Sequence, residues 1–438
     1  VSRIAPLSGF PEWLPPQRLI EQTVVDHVRR TFELYGFAPL ETRAVEPLDQ
    51  LLRKGETSKE VYLLRRLQDD SGEKESLGLH FDLTVPFARF VLEHAGKLAF
   101  PFRRYQIQKV WRGERPQEGR YREFLQADID VVDRDTLPFH YEVEIPLVIG
   151  DALGGLPIPP VRIHVNNRKL CQGFYRGLGI EDVDGALRAV DKLDKIGPTA
   201  VAELLMSTVG ASADVAKACL ALAGISAADG SFVDSVRALK VSDPLLDEGL
   251  DELVRVVDAA REHQPGLLVA DLKIARGLDY YTGTVYETFM AGYEKFGSIC
   301  SGGRYDNLAE SGTDRFPGVG ISIGVSRLLG VLFGASALQV SRSVPTCVLV
   351  ALPAEEERPA CDRIATALRR RGIATEVSPS AAKFGKQIRY AERRGIPYVW
   401  FPGTPDEVKD IRSGAQAAAD STQWTPPDDD LRPLITAS

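Results

Sequence analysis

Residues 102–132 read FRRYQIQKVWRGERPQEGRYREFLQADIDVV, two apolar runs on either side of a charged loop. Residues 102–110 and 124–132 are rich in aromatic and β-branched side chains, which predicts two antiparallel strands joined as a hairpin. The loop carries Arg115, Gln117, Arg120 and Arg122. A planar guanidinium can pair two phosphate oxygens at once, so such a loop suits a polyphosphate ligand. A surface hairpin with ordinary ion pairs accounts for the spacing equally well. Similar short runs at 161–165, 267–274, 284–289 and 320–324 extend the pattern. They predict an α+β unit over residues 1–333, built on about six or seven antiparallel strands.

Around this sheet the periodicity changes. Ile20, Val24, Val25, Val28, Phe32 and Tyr35 recur at helical spacing and Gly36 follows as a stop, so 18–35 is expected as an amphipathic helix. Residues 183–262 are rich in Ala, Leu and Asp with helical periodicity, which predicts a helical insertion within the sheet unit. The small-residue stretch 334–343 suits a linker. Beyond it, strand-like runs at 347–352, 374–377 and 397–401 alternate with helical ones at 359–371 and 386–394. That order predicts a compact α/β domain over 344–438, with 426–434 as a loose polar tail.

Composition narrows the function classes. With 44% hydrophobic and 26% charged residues the chain is of the globular type. No apolar run approaches the roughly 20 residues that span a bilayer. Residues 1–16 have neither a basic start nor an apolar stretch, so no secretory signal is expected. Five scattered cysteines without a CxxC pair, and six dispersed histidines without HxxxH or HExxH spacing, predict free thiols and no zinc site. A net charge of −8 argues against a general polyanion binder, DNA included. One segment departs from this: residues 363–394 hold nine basic residues against Glu376 and Glu392, a local +7. A solvated helix face and an RNA surface explain that patch about equally.

Three constellations carry chemistry. The hairpin is the first. The second is ARGLDYYTGTVYE at 275–287, where adjacent tyrosines lie between glycines that weaken a strand and often mark close approach to a ligand. The third is SGGRYD at 301–306, followed by GVGISIGVSRL at 318–328. The GxGxxxG spacing in the latter departs from the dinucleotide fingerprint, which leaves a Rossmann reading weak.

Arg112 and Glu114 in the hairpin, with 324–328 at a strand-to-helix junction, resemble motifs 2 and 3 of class II aminoacyl-tRNA synthetases. The double-tyrosine and SGGRYD runs resemble stretches peculiar to the histidyl-tRNA synthetase family. LHFDLTVPFAR at 79–89 and AVDKLDKI at 189–196 are similar to segments of its eukaryote-like form. The resemblance implies a class II catalytic domain with a helical insertion and a C-terminal anticodon-binding domain. It implies activation of histidine with ATP and Mg2+, transfer to tRNA(His), a cytoplasmic location and a homodimer. Arg112 would hold the α-phosphate, Glu114 would sit near the adenine, and the base would stack between Phe124 and Arg327, which also reaches the γ-phosphate. Asp82, Thr84 and Gln126 would accept from the substrate ammonium. Tyr281, beside Tyr280, and Asp130 would meet the imidazole, which needs one donor and one acceptor. Arg276 would approach the reacting carboxylate and α-phosphate. Contacts to tRNA would come from Arg115, Gln117 and Arg122 in the hairpin loop and from Lys383, Lys386 and Arg389 in the basic segment. Arg43 stands where motif 1 of the class ends in proline, so the dimer strand is inferred from context. His80 stands where an arginine is usual, with a packed histidine and a phosphate contact both open. The rival of another class is a synthetase-like regulatory subunit of ATP phosphoribosyltransferase. It is disfavoured because the double-tyrosine run and the C-terminal domain are both present.

Overall fold

Residues 102–132 fold as an antiparallel hairpin with ten residues in each strand, and a nine-stranded sheet is completed on either side of it. In this computed structural model, residues 5–52, 60–67, 76–274 and 280–438 are described. In chain order the strands are β1 (Ala38–Pro39), β2 (Phe102–Trp111), β3 (Glu123–Val132), β4 (Val161–Asn167), β5 (Ser226–Ala227), β6 (Leu268–Asp271), β7 (Tyr281–Met290), β8 (Cys300–Tyr305) and β9 (Gly318–Gly324). Across the sheet they run β1-β2-β3-β9-β8-β7-β4-β6-β5. Neighbours are antiparallel except β1–β2 and β4–β6, which are parallel. Nine strands thus replace the six or seven expected. The two-residue strands β1 and β5 are too short to leave any periodic signal. The parallel β4–β6 pair is possible because the long helical stretch between them provides the crossover that parallel strands need.

The helices follow the apolar spacing. α1 (Pro15–Leu34) ends before Gly36, whose φ of +77° stops it, and its Val28 and Phe32 are fully buried. α2 (Thr84–His94) precedes the hairpin, and α3 (His140–Gly154) packs on β3 and β9. α4 (Arg168–Gly177), α5 (Val183–Val190), α6 (Leu193–Val209), α7 (Ala213–Ala223), α8 (Phe232–Arg237) and α9 (Pro244–His263) lie between β4 and β6 in sequence. Gly197, at φ +81°, breaks α6 ahead of Pro198. α10 (Val325–Gly334) follows β9 directly and packs on β3. Arg43, at the motif 1 proline position, pairs with the buried Glu46 at 2.9 Å.

The chain divides into two units, Val1–Pro11 with Val25–Gly334 and Glu12–Val24 with Ala335–Ser438. The second contains a five-stranded sheet. Its strands are β10 (Val348–Val350), β11 (Thr375–Val377), β12 (Tyr398–Phe401), β13 (Glu407–Asp410) and β14 (Gln416–Ala418), ordered β11-β10-β12-β13-β14. The helices α11 (Arg358–Arg370) and α12 (Phe384–Arg394) complete it. Two expectations need correction here. Within the stretch read as a linker, Leu338–Val340 is a strand paired with Ile435–Ala437. The tail read as loose holds a short helix, Asp428–Leu431, and Asp430 is buried where Tyr398 Oη (2.6 Å) and Arg412 donate to it. Those partners lie far away in sequence, where local pattern cannot show them.

Helices α4 and α9 cross through glycines. A Cβ on Gly249 would lie 2.2 Å from the Leu170 backbone nitrogen, whereas one on Gly154, at the end of α3, would meet nothing within 4 Å. Gly249→Ala should therefore force the helices apart and cost roughly 1–3 kcal/mol or more. Gly154→Ala should stabilise by up to about 1 kcal/mol, since only chain entropy changes. Thermal melts of both variants check this; equal Tm values would remove the tight crossing.

Candidate functional site: a charge-divided cavity on the sheet

Alternate residues of a strand face one way, so Gln126, Asp128 and Asp130 share one face of β3. In register they oppose Gln108, Gln106 and Arg104 of β2 on one side and Gly324, Ser322 and Gly320 of β9 on the other. Gly320 is required there: a Cβ would lie 2.2 Å from Asp130 Oδ1. The opposite face of β3, with Ala127, Ile129 and Val131, is fully buried and apolar. The strand is therefore anchored by its apolar face and presents a polar row on the other.

At the Asp130 end the row is held by a buried ion pair, although Arg104 Nε and Nη1 have no partner among the described residues. Arg104 is fully buried, its Nη2 lies 2.5 Å from Asp130 Oδ2, and its guanidinium sits 4.4 Å over the Phe87 ring. Tyr305 Oη donates to Asp130 Oδ1 at 2.8 Å. Tyr280 Oη donates to Tyr281 Oη at 3.4 Å, which leaves the Tyr281 proton to be given elsewhere. Burial pushes both phenols well above the usual range, so they remain donors. Asp82 is buried and accepts from the Val85 amide at the start of α2, whose first residue is Thr84. Gln126 Nε2 donates to Ser322 Oγ at 2.7 Å, so its Oε1 is left as an acceptor with no partner among the described residues.

The other end of β3 is cationic. Arg112 donates through Nε to the Phe81 carbonyl at 2.9 Å, and its guanidinium lies 5.1 Å over the Phe124 ring. Arg120 reaches Glu114 at 3.3 Å, and Arg122 Nε donates to the Glu114 carbonyl at 3.1 Å. Arg327 bonds the Phe296 carbonyl, yet its Nε is buried without a partner among the described residues. Burial first, and then the Arg120 guanidinium, pull Arg327 down to about 10. Crowded guanidinium groups of this kind are relieved by a bound polyanion.

Phe81, Arg112, Glu114, Phe124, Gln126, Tyr281 and Arg327 line one cavity of about 840 Å3. These residues are spread over more than two hundred positions of the chain, and the sheet brings them together. Asp82, Asp130 and Tyr280 lie against it rather than on its wall. Arg115 and Gln117 are exposed in the hairpin loop, and Lys383, just before α12, and Lys386 and Arg389 on it are exposed in the second unit. Arg276 lies outside the described residues. His80 is fully buried, with Nε2 2.7 Å from the Lys109 carbonyl and its ring 5.5 Å from that of Trp111; burial lowers its pKa, so it is a neutral packed histidine. No group of three His, Cys, Asp or Glu among the described residues could hold a metal ion.

Sequence reasoning missed four residues at the acidic end: Arg104, Asp128, Tyr305 and Ser322. The hairpin register alone could have placed Arg104 opposite Asp130. It placed the helical insertion but not its part in the site, where Arg188 and Lys192 line the same cavity.

Burial pushes Asp128 up to about 7. The Arg104 guanidinium and the Ser322 hydroxyl oppose this, and the Asp130 and Asp82 carboxylates add to it, with Tyr281 the remaining titratable neighbour. A folded-state value above the unfolded one means that the stabilising contribution is complete below about pH 4. It is lost as pH rises through about 7. Asp128→Asn should therefore melt close to the parent at about pH 5 and a few degrees higher at about pH 8. The effect of His80 runs the other way but is common to both proteins and cancels. A Tm difference that does not change with pH would contradict the assignment.

The sequence was compared with known proteins. The family model for histidyl-tRNA synthetase matches residues 9–328, and that for the anticodon binding domain matches 346–411. A histidine–tRNA ligase of Micrococcus luteus is 59% identical, with 99% of each chain covered. The crystal structure of histidyl-tRNA synthetase from Nostoc sp. PCC 7120 is similar at TM-score 0.85 and 33% identity, covering 95% of this chain and 97% of that one. A Bacillus halodurans chain described as an ATP phosphoribosyltransferase regulatory subunit/histidyl-tRNA synthetase reaches TM-score 0.73 at 18% identity, covering 88% and 96%, a likeness of fold alone. With the family model spanning most of the chain and near full-length relatives above half identity, this chain belongs to the histidyl-tRNA synthetase family and is a histidine–tRNA ligase rather than the regulatory subunit.

Proposed function

We propose that histidine binds at the carboxylate end of the cavity and ATP at the arginine end, so that the histidine carboxylate meets the α-phosphate between them. The observation behind this reading is the division of charge along β3. Asp82, Asp128 and Asp130 cluster at one end, and Arg112, Arg120 and Arg327 line the cavity at the other. Six residues of extended strand separate Phe124 from Asp130, roughly 20 Å, which is long enough for the two substrates in line.

The substrate ammonium goes to Asp82, Thr84 and the Gln126 Oε1, and the imidazole lies toward Tyr281 and Asp130. The adenine lies by Glu114 and Phe124, with Arg327 toward the γ-phosphate and Arg112 on the α-phosphate. One oxygen of the histidine carboxylate attacks the α-phosphorus; a new P–O bond forms as the bond to pyrophosphate breaks, giving histidyl-adenylate. A ribose hydroxyl at the end of tRNA(His) then attacks the acyl carbon, loses its proton, and AMP departs. No enzymic nucleophile is needed, so catalysis is positioning plus charge stabilisation, with Arg276 assigned to the reacting oxygens. Mg2+ accompanying ATP would neutralise phosphate charge. The exposed Arg115 and Gln117 and the half-buried Arg122 face tRNA near the site, and Lys383, Lys386 and Arg389 face the anticodon arm. A symmetric homodimer working in the cytoplasm completes the reading. No helix among the described residues is long and apolar enough to cross a membrane.

Arg327→Ala should raise the KM for ATP in pyrophosphate exchange by about 10- to 100-fold and change that for histidine little. Asp82→Asn should do the reverse, since each removes a charged hydrogen bond to one substrate. Equal changes in both KM values for either variant would contradict the division of the cavity. Replacing Lys383, Lys386 and Arg389 together by alanine should leave exchange intact but raise the KM for tRNA(His). The salt dependence of tRNA binding should become shallower, by a log–log slope of about two to three. An unchanged KM for tRNA would remove this helix from the interface.

A further inference from the structure

The β2–β3 hairpin does not close on itself at the mouth of its loop. The Arg112 amide donates to the Arg122 carbonyl at 2.9 Å, yet the Arg122 amide does not return the bond. In a continued antiparallel ladder such a facing pair exchanges both bonds. Here the Arg122 amide donates instead to the Gly9 carbonyl at 2.7 Å, and the Glu123 amide reaches the same oxygen at 3.2 Å. On the other side of the mouth the Gly113 amide donates to the Glu60 carbonyl at 2.8 Å. The two outside segments also meet each other, since the Phe10 ring lies edge-on to the Tyr62 ring at 6.4 Å. Residues 9–10 and 60–62 therefore clamp the neck of the loop from both sides.

Only glycine fits at position 9. It is the third residue of a turn that the Phe10 amide closes on the Leu7 carbonyl at 3.1 Å, and its φ is +85°. A Cβ there would lie 2.9 Å from Arg122 Cγ and 2.9 Å from Pro116 Cγ. The backbone at Gly9 is thus pressed against the stem of Arg122, whose Nε donates to the Glu114 carbonyl at 3.1 Å. Arg112 and Glu114 line the cavity, whereas Gly9, Phe10 and Tyr62 stand outside it.

We infer that residues 7–10 are a positioning strap for the hairpin loop, and that Gly9 and Phe10 hold Arg112 and Glu114 in place for ATP without touching it. This rests on the reading that ATP is seated at the arginine end. The strap orders the loop before the nucleotide arrives, so binding does not carry that entropic cost. Linkage makes the relation reciprocal: a ligand that favours the strapped loop also tightens the strap.

The test uses the full chain, with amide hydrogen exchange and pyrophosphate exchange as readouts. In the parent, ATP with Mg2+ should slow amide exchange at Phe10, Arg122 and Glu123, and histidine alone should not. Gly9→Ala and Phe10→Ala should speed exchange at Arg122 and Glu123. Each should raise the KM for ATP by about 10-fold or more and leave that for histidine within about twofold. Phe10 is half-buried, so Phe10→Ala keeps the test open where Gly9→Ala does not fold. Phe10→Tyr retains an edge-on ring and should restore the parent values. A lowered Tm in Phe10→Ala with both KM values unchanged would overturn the proposal in favour of packing alone. Equal rises in both KM values would overturn it as a general loosening of the site. Protection of the loop by histidine and not by ATP in the parent would instead sink the seating of ATP at this end, and the strap's role with it, before any variant is compared.

Discussion

The buried pair of Arg104 and Asp130 is the contact on which the site depends. Two charges taken out of water cost several kcal/mol each, and the cost is recovered only with close geometry and further bonds. Here the geometry follows from hairpin register, because Arg104 of β2 faces Asp130 of β3 directly. The remaining Asp130 oxygen is taken by Tyr305, two strands further across the sheet. Gly320 of β9, which lies between, must have no side chain for this to occur. A hairpin slipped by one residue would turn the whole Gln126–Asp128–Asp130 row into the apolar layer under α3 and α10. Electrostatics at one point therefore fixes the register of the whole sheet floor.

From that floor the chemistry follows with little added machinery. Arg104 pairs with Asp130 and also acts on Asp128, while Asp82 adds a third carboxylate to the cluster, so in the proposed reading a substrate ammonium supplies positive charge there. The opposite end is short of negative charge, and Arg327 is held below its ordinary value among neighbouring guanidinium groups. In the proposed reading each end is completed by one substrate, and the two reacting groups meet where the ends join. Preorganised charge of this kind needs no rearrangement when the transition state forms, and catalysis by positioning draws on that. The cost is paid in stability at Asp128 and Arg327, where buried polar atoms wait for a partner.

Much of this was legible in the sequence, for identifiable reasons. Alternation predicted the hairpin, and helical spacing with Gly36 predicted α1. Resemblance identified Arg112, Glu114, Gln126, Tyr281 and Arg327, which the sheet gathers on one cavity. What remained hidden depended on contacts between distant segments. The two-residue strands β1 and β5 exist only through their neighbours. Asp430 is ordered by Tyr398 and Arg412 across the second unit. Arg188 and Lys192 reach the cavity from the insertion, where sequence showed only an amphipathic helix. Asp128 was not singled out, because its burial depends on Gln106 and Ser322 of the neighbouring strands.

A crystal structure of the full chain with histidine and a non-hydrolysable ATP analogue bound together tests the central claim most directly. The account predicts the imidazole toward Tyr281 and Asp130, the ammonium at Asp82 and Gln126 Oε1, and the triphosphate along Arg112 and Arg327. A histidine lying in the opposite sense, with its ring among the arginines, or a triphosphate seated away from them, would contradict the division of charge on which the account rests.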